Sequence, residues 1–158
     1  MTATLRVSVA ALGVVLCLVS GCGSDGESDA EKARERGFEE AADTSTCLAN
    51  AEPVDLGTVS SGYPKDFPLP DGAVAYDAED RGSDGVIVTA VVDSSLKEVL
   101  AALNGPTQDA GFKITSGETE EHDAEANWSG NGYRGRWAIK ESAQCDGEVV
   151  IQVLSKKS

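Results

Sequence analysis

The chain has a single histidine, no apolar run long enough to cross a bilayer, and only 13 lysines and arginines against 27 aspartates and glutamates. Each shortage closes off a class of function. His122 is the only imidazole, so a Ser-His or Cys-His relay has no second one to draw on. The longest apolar stretch, Val7 to Val19, is broken by Ser8 and Gly13 and falls short of the roughly 20 residues a spanning helix needs. A formal net charge of −14 and a pI of about 4.3 repel nucleic-acid phosphate, and no basic cluster offsets them, so no nucleic-acid partner is expected. The same field repels anionic headgroups, which keeps a folded domain standing off a membrane surface. Solubility is the default meaning of such a surface, and a basic partner or a cation is the sharper alternative. No internal repeat is present. At 158 residues and 41% hydrophobic, the chain can fill the core of one domain.

What is present begins with an export signal over residues 1–21. Arg6 supplies the positive start, Val7 to Val19 the apolar centre, and Ser20 and Gly21 the small residues that admit a peptidase. Val19-Ser20-Gly21-Cys22 resembles the lipobox of bacterial lipoproteins. That resemblance implies cleavage before Cys22, whose thiol takes a diacylglyceryl group. Two acyl chains already suffice to hold a protein stably on a membrane. An ordinary signal peptide cut nearby, or an uncleaved anchor, is the alternative.

Cys17 leaves with the leader and Cys22 takes lipid. Cys47 and Cys145 then remain as one pair in an oxidising compartment, and we expect them to be bridged. Gly23 to Asp29 reads as a flexible spacer. Asp29 to Asp43 reads as a loosely docked short helix or as part of the tether, because its stripe of Ala30, Ala33, Phe38 and Ala41 is thin and Gly37 interrupts it. Residues 22–51 are thus expected to form the lipidated, acidic tether, and residues 52–158 the folded domain.

The pattern of that domain is α+β. Pro64, Pro68 and Pro70 impose an extended lead-in from which Phe67 and Leu69 can dock into a core. Ala73 to Tyr76 reads as a short strand, Asp77 to Gly85 as a loop of acids and glycines, and Val86 to Val92 as a strand buried on both faces. Ser95 and Glu98 form a capping box for a helix with Leu96, Val99, Leu100 and Leu103 on one side. Asn104-Gly105 breaks that helix, Pro106 restarts a turn, and Gly111 ends it. Phe112 and Ile114 then alternate with polar neighbours. Asn131-Gly132 is a two-residue hairpin signal. Counting outward sets Trp128 opposite Gly135, Ala126 opposite Trp137 and Ala124 opposite Ile139 on an apolar face. The other face pairs Asn127 with Arg136 and Asp123 with Lys140, with Glu125 diagonal to both cations. Trp128 covers the bare backbone of Gly135. Glu148 to Leu154 is the last strand. The expected fold is an antiparallel sheet with one main helix packed on one face, approximately ββαβββ.

Several segments invite a chemical reading. Ser94 and Lys97 match the Ser-x-x-Lys of penicillin-binding enzymes, but no Lys-Thr-Gly accompanies them and the helix cap already explains the serines. His122, among the acids of residues 118–125, could ligate a metal, yet alternation along a strand sends neighbouring carboxylates to opposite faces. Asp77 to Asp84 is acidic enough for calcium, but Arg81 falls where an EF-hand loop wants an oxygen. Asn127-Trp128-Ser129 matches a glycosylation sequon on a strand. Trp128, Tyr133 and Trp137 could form a ligand platform, although the sheet face that meets the helix needs such residues as core. No catalytic residue, metal site or cofactor is assigned.

The lipobox, the acidic spacer, Tyr63-Pro64-x-Asp66-Phe67-Pro68-Leu69-Pro70-x-Gly72-Ala73 and the Trp/Gly/Arg hairpin together resemble uncharacterised lipoproteins of actinobacteria. The resemblance implies a lipoprotein anchored by Cys22 on the extracytoplasmic face and carries no activity with it; with no catalytic residue assigned, the expected function is that of a non-catalytic envelope protein. Its domain would bind an envelope protein, a cell-wall component or a small ligand. The alternative is a metal-binding or enzymatic envelope protein that uses residues 118–125.

Overall fold

Strict alternation in the last strands decides the layout. The computed structural model describes residues 29–158; the leader, Cys22 and the spacer through Ser28 lie outside the described residues. Six strands form one antiparallel sheet: β1 (Val74–Asp80), β2 (Val86–Asp93), β3 (Lys113–Thr119), β4 (Asp123–Gly130), β5 (Tyr133–Glu141) and β6 (Glu148–Lys157). They lie in the order β1-β2-β6-β5-β4-β3. Helix α1 (Asp29–Asp43) precedes the sheet, and α2 (Leu96–Asp109) joins β2 to the far edge strand β3. The fold is α+β with an antiparallel sheet, as expected. It has two α-helices where one main helix was expected, and four strands after α2.

The β4–β5 hairpin has the register counted from its turn, from Asp123 opposite Lys140 through Trp128 opposite Gly135. Asn131 and Gly132 both take positive φ, 51° and 81°, which the twist of a two-residue hairpin requires. A Cβ on Gly135 would collide with the Leu154 carbonyl oxygen and would sit 2.5 Å from Trp128 Cζ2. The indole therefore lies where only glycine leaves room.

One sheet face carries the core. Val88, Ala90 and Val92, Ile151 and Val153, Trp137 and Ile139, and Ala126 and Trp128 bury against Val99 and Leu103 of α2. The proline-rich lead-in closes this core as expected: Phe67 packs 5.3 Å from Phe112 and 4.9 Å from Trp128, ring centre to ring centre. The Tyr63 hydroxyl is buried with no hydrogen-bond partner, and burial pushes its pKa well above the ordinary phenol range. Val91 and Thr89 are buried on the opposite face, so β2 is covered on both sides as its β-branched run implied.

Two local expectations are corrected. Helix α2 is not broken at Asn104-Gly105; it runs through Pro106 to Asp109. Leu103 and Thr107, both fully buried one turn apart, hold that turn in place, and the bond lost at the exposed Pro106 is a single one near the helix end. The capping box at Ser95 and Glu98 is present in both directions, and Gly111 follows the helix at φ 90°. Strand β1 extends to Asp80, so Asp77 to Asp80 is strand rather than loop, paired with Val86 to Thr89 after a bulge at Tyr76. Acids on the open side of an edge strand discourage a further strand from adding there. Residues 29–43 form a helix whose Phe38 and Ala42 are buried, the docked-helix reading of the two that the sequence left open.

A disulfide joins Cys47 to Cys145, with the Cα atoms 5.7 Å apart and a sequence separation of 98. Around it the Leu48 N–H donates to Glu148 Oε2 at 2.9 Å, Gln144 Nε2 donates to the Asp43 carbonyl at 2.9 Å, and the Ser45 and Ser142 hydroxyls lie 3.1 Å apart. The segment after α1 is thereby stapled to the β5–β6 turn.

Two stability tests follow from this packing. Gly135→Val should lower the unfolding free energy by about 3 kcal/mol, because neither the Leu154 backbone nor the Trp128 ring can retreat without moving a strand; urea denaturation reads it, and an unchanged midpoint would refute the register. Cys47→Ala with Cys145→Ala should cost about 4 kcal/mol in the chain-entropy account of a loop this long, and non-reducing peptide maps of the wild type should contain one linked 47–145 peptide.

Candidate functional site

Period-two alternation that sends Gly135, Trp137 and Ile139 to the core sends Arg134, Arg136, Ala138 and Lys140 to the other face. On β6 the same rule turns Gln152, Leu154 and Lys156 that way. The pairing of β5 with β6 sets Arg134 opposite Lys156, Arg136 opposite Leu154 and Ala138 opposite Gln152. Helix α1 roofs part of this face.

Between α1, the β1–β2 turn and the sheet lies a concavity of about 780 Å³. Its lining combines half-buried apolar groups, Ile87 and Leu154, with Ala33 of α1 and with four cations, Arg81, Arg134, Arg136 and Lys156. Asp84 is the acid in that lining. The concavity adjoins a second space of about 260 Å³ beneath α1, which shares Ala33, Ile87 and Leu154 with it and adds Phe38 and Ala138. Volumes of this order are those of small-molecule sites.

The electrostatics of the groove are uneven. Arg81 donates to Glu79 Oε2 at 2.7 Å and holds that carboxyl below the usual carboxylate range. Arg136 is ion-paired with Glu125, the diagonal contact the hairpin register implied. Arg134 and Lys156 face each other directly across neighbouring strands, like charge to like charge, an arrangement that costs stability. Four cations from three chain segments meet in one concavity, two of them already paired with carboxylates. Strand pairing assembles them, and the linear sequence carries only one half of the signal, the Arg134 and Arg136 alternation.

The residues singled out from sequence fall elsewhere. His122 lies opposite Glu141 as counted, with Nδ1 2.8 Å from Glu141 Oε2 and Nε2 3.9 Å from Glu121, all three exposed. The hydrogen bond to Glu141 raises the His122 pKa. Glu118, Glu120, Asp123 and Glu125 line one shallow depression of about 180 Å³, interleaved with Arg36, Arg136 and Lys140, and His122 is not in it. Alternation along one strand did not reveal that grouping, because it arises from β3 pairing with β4, which sets Glu118 opposite Glu125. Ser94 and Ser95 both donate to Glu98 Oε2, at 3.1 and 2.7 Å, and Lys97 is exposed. Asp80 Oδ1 accepts from the Gly82 N–H at 2.8 Å, which uses it in the turn. Glu148 lies close to both sulfurs of the Cys47–Cys145 pair, where the disulfide occupies the sulfurs and Leu48 the carboxylate. Asn127 Nδ2 donates to Ser116 Oγ at 3.1 Å. Trp128 and Trp137 are core residues, and Tyr133 donates to the Ser61 carbonyl at 3.3 Å.

No protein-family model, curated protein or solved structure matches this chain. The geometry therefore has to carry the reading.

His122 offers a direct check on the hairpin end. Its pKa is raised in the folded chain, so the contact with Glu141 favours folding below the unfolded pKa of about 6.5 and loses that effect as pH rises through the folded value. Imidazole NMR titration should give a pKa above 6.5, and Glu141→Gln should bring it down; equal midpoints in the two proteins would contradict the contact.

Proposed function

We propose that the protein is a cell-envelope lipoprotein, anchored through Cys22 on the extracytoplasmic face, whose domain is a non-catalytic binding module. The observation that carries the binding reading is the open groove on the α1 side of the sheet, where apolar floor and cationic wall occur together. The location rests on the order of leader, small residues and Cys22, and is supported by the Cys47–Cys145 bridge, since such bonds persist outside reducing compartments. Among the described residues no helix is long and apolar enough to cross a membrane. The same sequence features support placing the chain among lipoproteins of the actinobacterial type. The metal-binding or enzymatic alternative is the weaker one, because His122 stands apart from the acids that line the nearby depression.

Cys22→Ser tests the anchor. Wild-type protein should fractionate with membranes and incorporate radiolabelled palmitate. The variant should lose the label and be released or stall before processing. Equal labelling and equal membrane partition in both would sink the proposal.

A further inference from the structure

We propose that the groove binds a single-chain amphiphilic anion, with a carboxylate or phosphate head held between Arg134 and Lys156 and a hydrocarbon body lying on Ile87 and Leu154. This rests on the reading of the domain as a binding module and names the ligand class.

Three independent features converge on it. The first is register. Arg134 and Lys156 are direct cross-strand partners, so their side chains leave the same face of the sheet from opposite positions, and both line the concavity. Cross-strand neighbours of like charge destabilise a sheet unless an opposite charge lies between them. An oxyanion at that point turns a repulsion into two charge-assisted hydrogen bonds, and the guanidinium of Arg134 can take a carboxylate or phosphate with two parallel donors. The flanking cations differ in kind: Arg81 and Arg136 already have Glu79 and Glu125. They shape the potential of the wall while Arg134 and Lys156 supply the contact.

The second feature is the floor. Ile87 and Leu154 are only half buried although both lie on central strands, β2 and β6, whose other apolar residues are almost wholly covered. Apolar surface left open inside a concavity is what a hydrocarbon body would cover. The larger concavity shares these two residues, with Arg81 and Arg136, with the space beneath α1, where Phe38 and Ala138 add apolar surface beside Gln152. Head and tail sites are thus adjacent and connected.

The third is the contrast with the rest of the molecule. A chain of net charge −14 sets four cations on one concavity, where among the described lining residues the one acid is Asp84, and Glu79 and Glu125 are paired with two of the four. The global field disfavours a polyanion approaching from any side, and a small ligand with one short-range anionic head is attracted locally.

The test is calorimetric titration of the full mature chain carrying Cys22→Ser, so that the protein's own acyl chains do not compete. Dodecanoate and dodecyl phosphate, each below its micellar concentration, should bind saturably at one site per chain; acetate and dodecyltrimethylammonium should not. Arg134→Gln with Lys156→Gln should weaken dodecanoate by about tenfold or more, while the melting temperature of the unliganded variant stays the same or rises, since a repulsion has been removed. If the variant fails to fold, rising salt on the wild type provides the same readout, because a head held by two cations must weaken as they are screened. Absence of saturable binding by either anion, equal binding of the cationic amphiphile, or an affinity unchanged by the substitutions or by salt would overturn the proposal. So would co-sedimentation with phosphatidylglycerol vesicles without monomer binding, which would mark the cations as a membrane-docking surface. Loss of the palmitate label in Cys22→Ser together with no ligand binding would remove this inference and leave the anchor standing; binding together with equal labelling and equal membrane partition of variant and wild type would do the reverse.

Discussion

The Cys47–Cys145 bond is the constraint on which the α1 side of the molecule depends. Helix α1 contributes only Phe38 and Ala42 as buried side chains among its described residues, too thin a stripe to hold a helix of 15 residues by burial alone. The bridge fixes the segment just beyond its C-terminal end to the β5–β6 turn, and the hydrogen bonds from Leu48 and Gln144 set its direction. With that end fixed, the helix need only lie down on the sheet. Without α1 the groove would be an open sheet face.

The two faces of the sheet do different jobs with the same strands. Toward α2, alternation in β4, β5 and β6 supplies Ala126, Trp128, Trp137, Ile139, Ile151 and Val153, a continuous core closed by Phe67 and Phe112. Toward α1 the same strands present Glu125, Arg134, Arg136, Gln152 and Lys156. Charge is sorted again along the sheet. Asp77, Glu79 and Asp80 lie exposed on edge strand β1, and Glu118 on edge strand β3, where acids guard against addition of another strand. The cations gather toward the middle of the sheet, on β5 and β6. Placing Arg134 against Lys156 there sacrifices some stability locally, a pattern common where a surface is shaped for a ligand.

How much of this was legible depended on how many chain segments each feature needs. The capping box at Ser95 and the Asn131-Gly132 hairpin are local, and both stand as read. The disulfide needed only a count of cysteines. Features that need a third segment were misread or missed. Asp77 to Asp80 looked like a loop because its pairing with β2 is invisible in its own composition. Asn104-Gly105-Pro106 looked like a break because the burial of Thr107, which stabilises the last turn, comes from tertiary packing. The groove was the least legible, since it draws on α1, the β1–β2 turn and strands β2 to β6. Arg136 could be assigned to a face from the hairpin, but its neighbours Arg81 and Lys156 could not.

The strand order has a consequence for how the molecule comes into being. Strand β6 lies between β2 and β5, and it is the last of the six to be synthesised. Until it arrives, the chain holds two separate pieces, the β1–β2 pair with α2 and the β3–β4–β5 meander, and neither can complete the shared core. Pairings this distant in sequence form slowly and late. A chain whose centre is filled last stays open through most of its synthesis. The same order means that a ribosome stalling short of Glu148 releases two half-sheets with exposed inner edges rather than a slightly shortened protein.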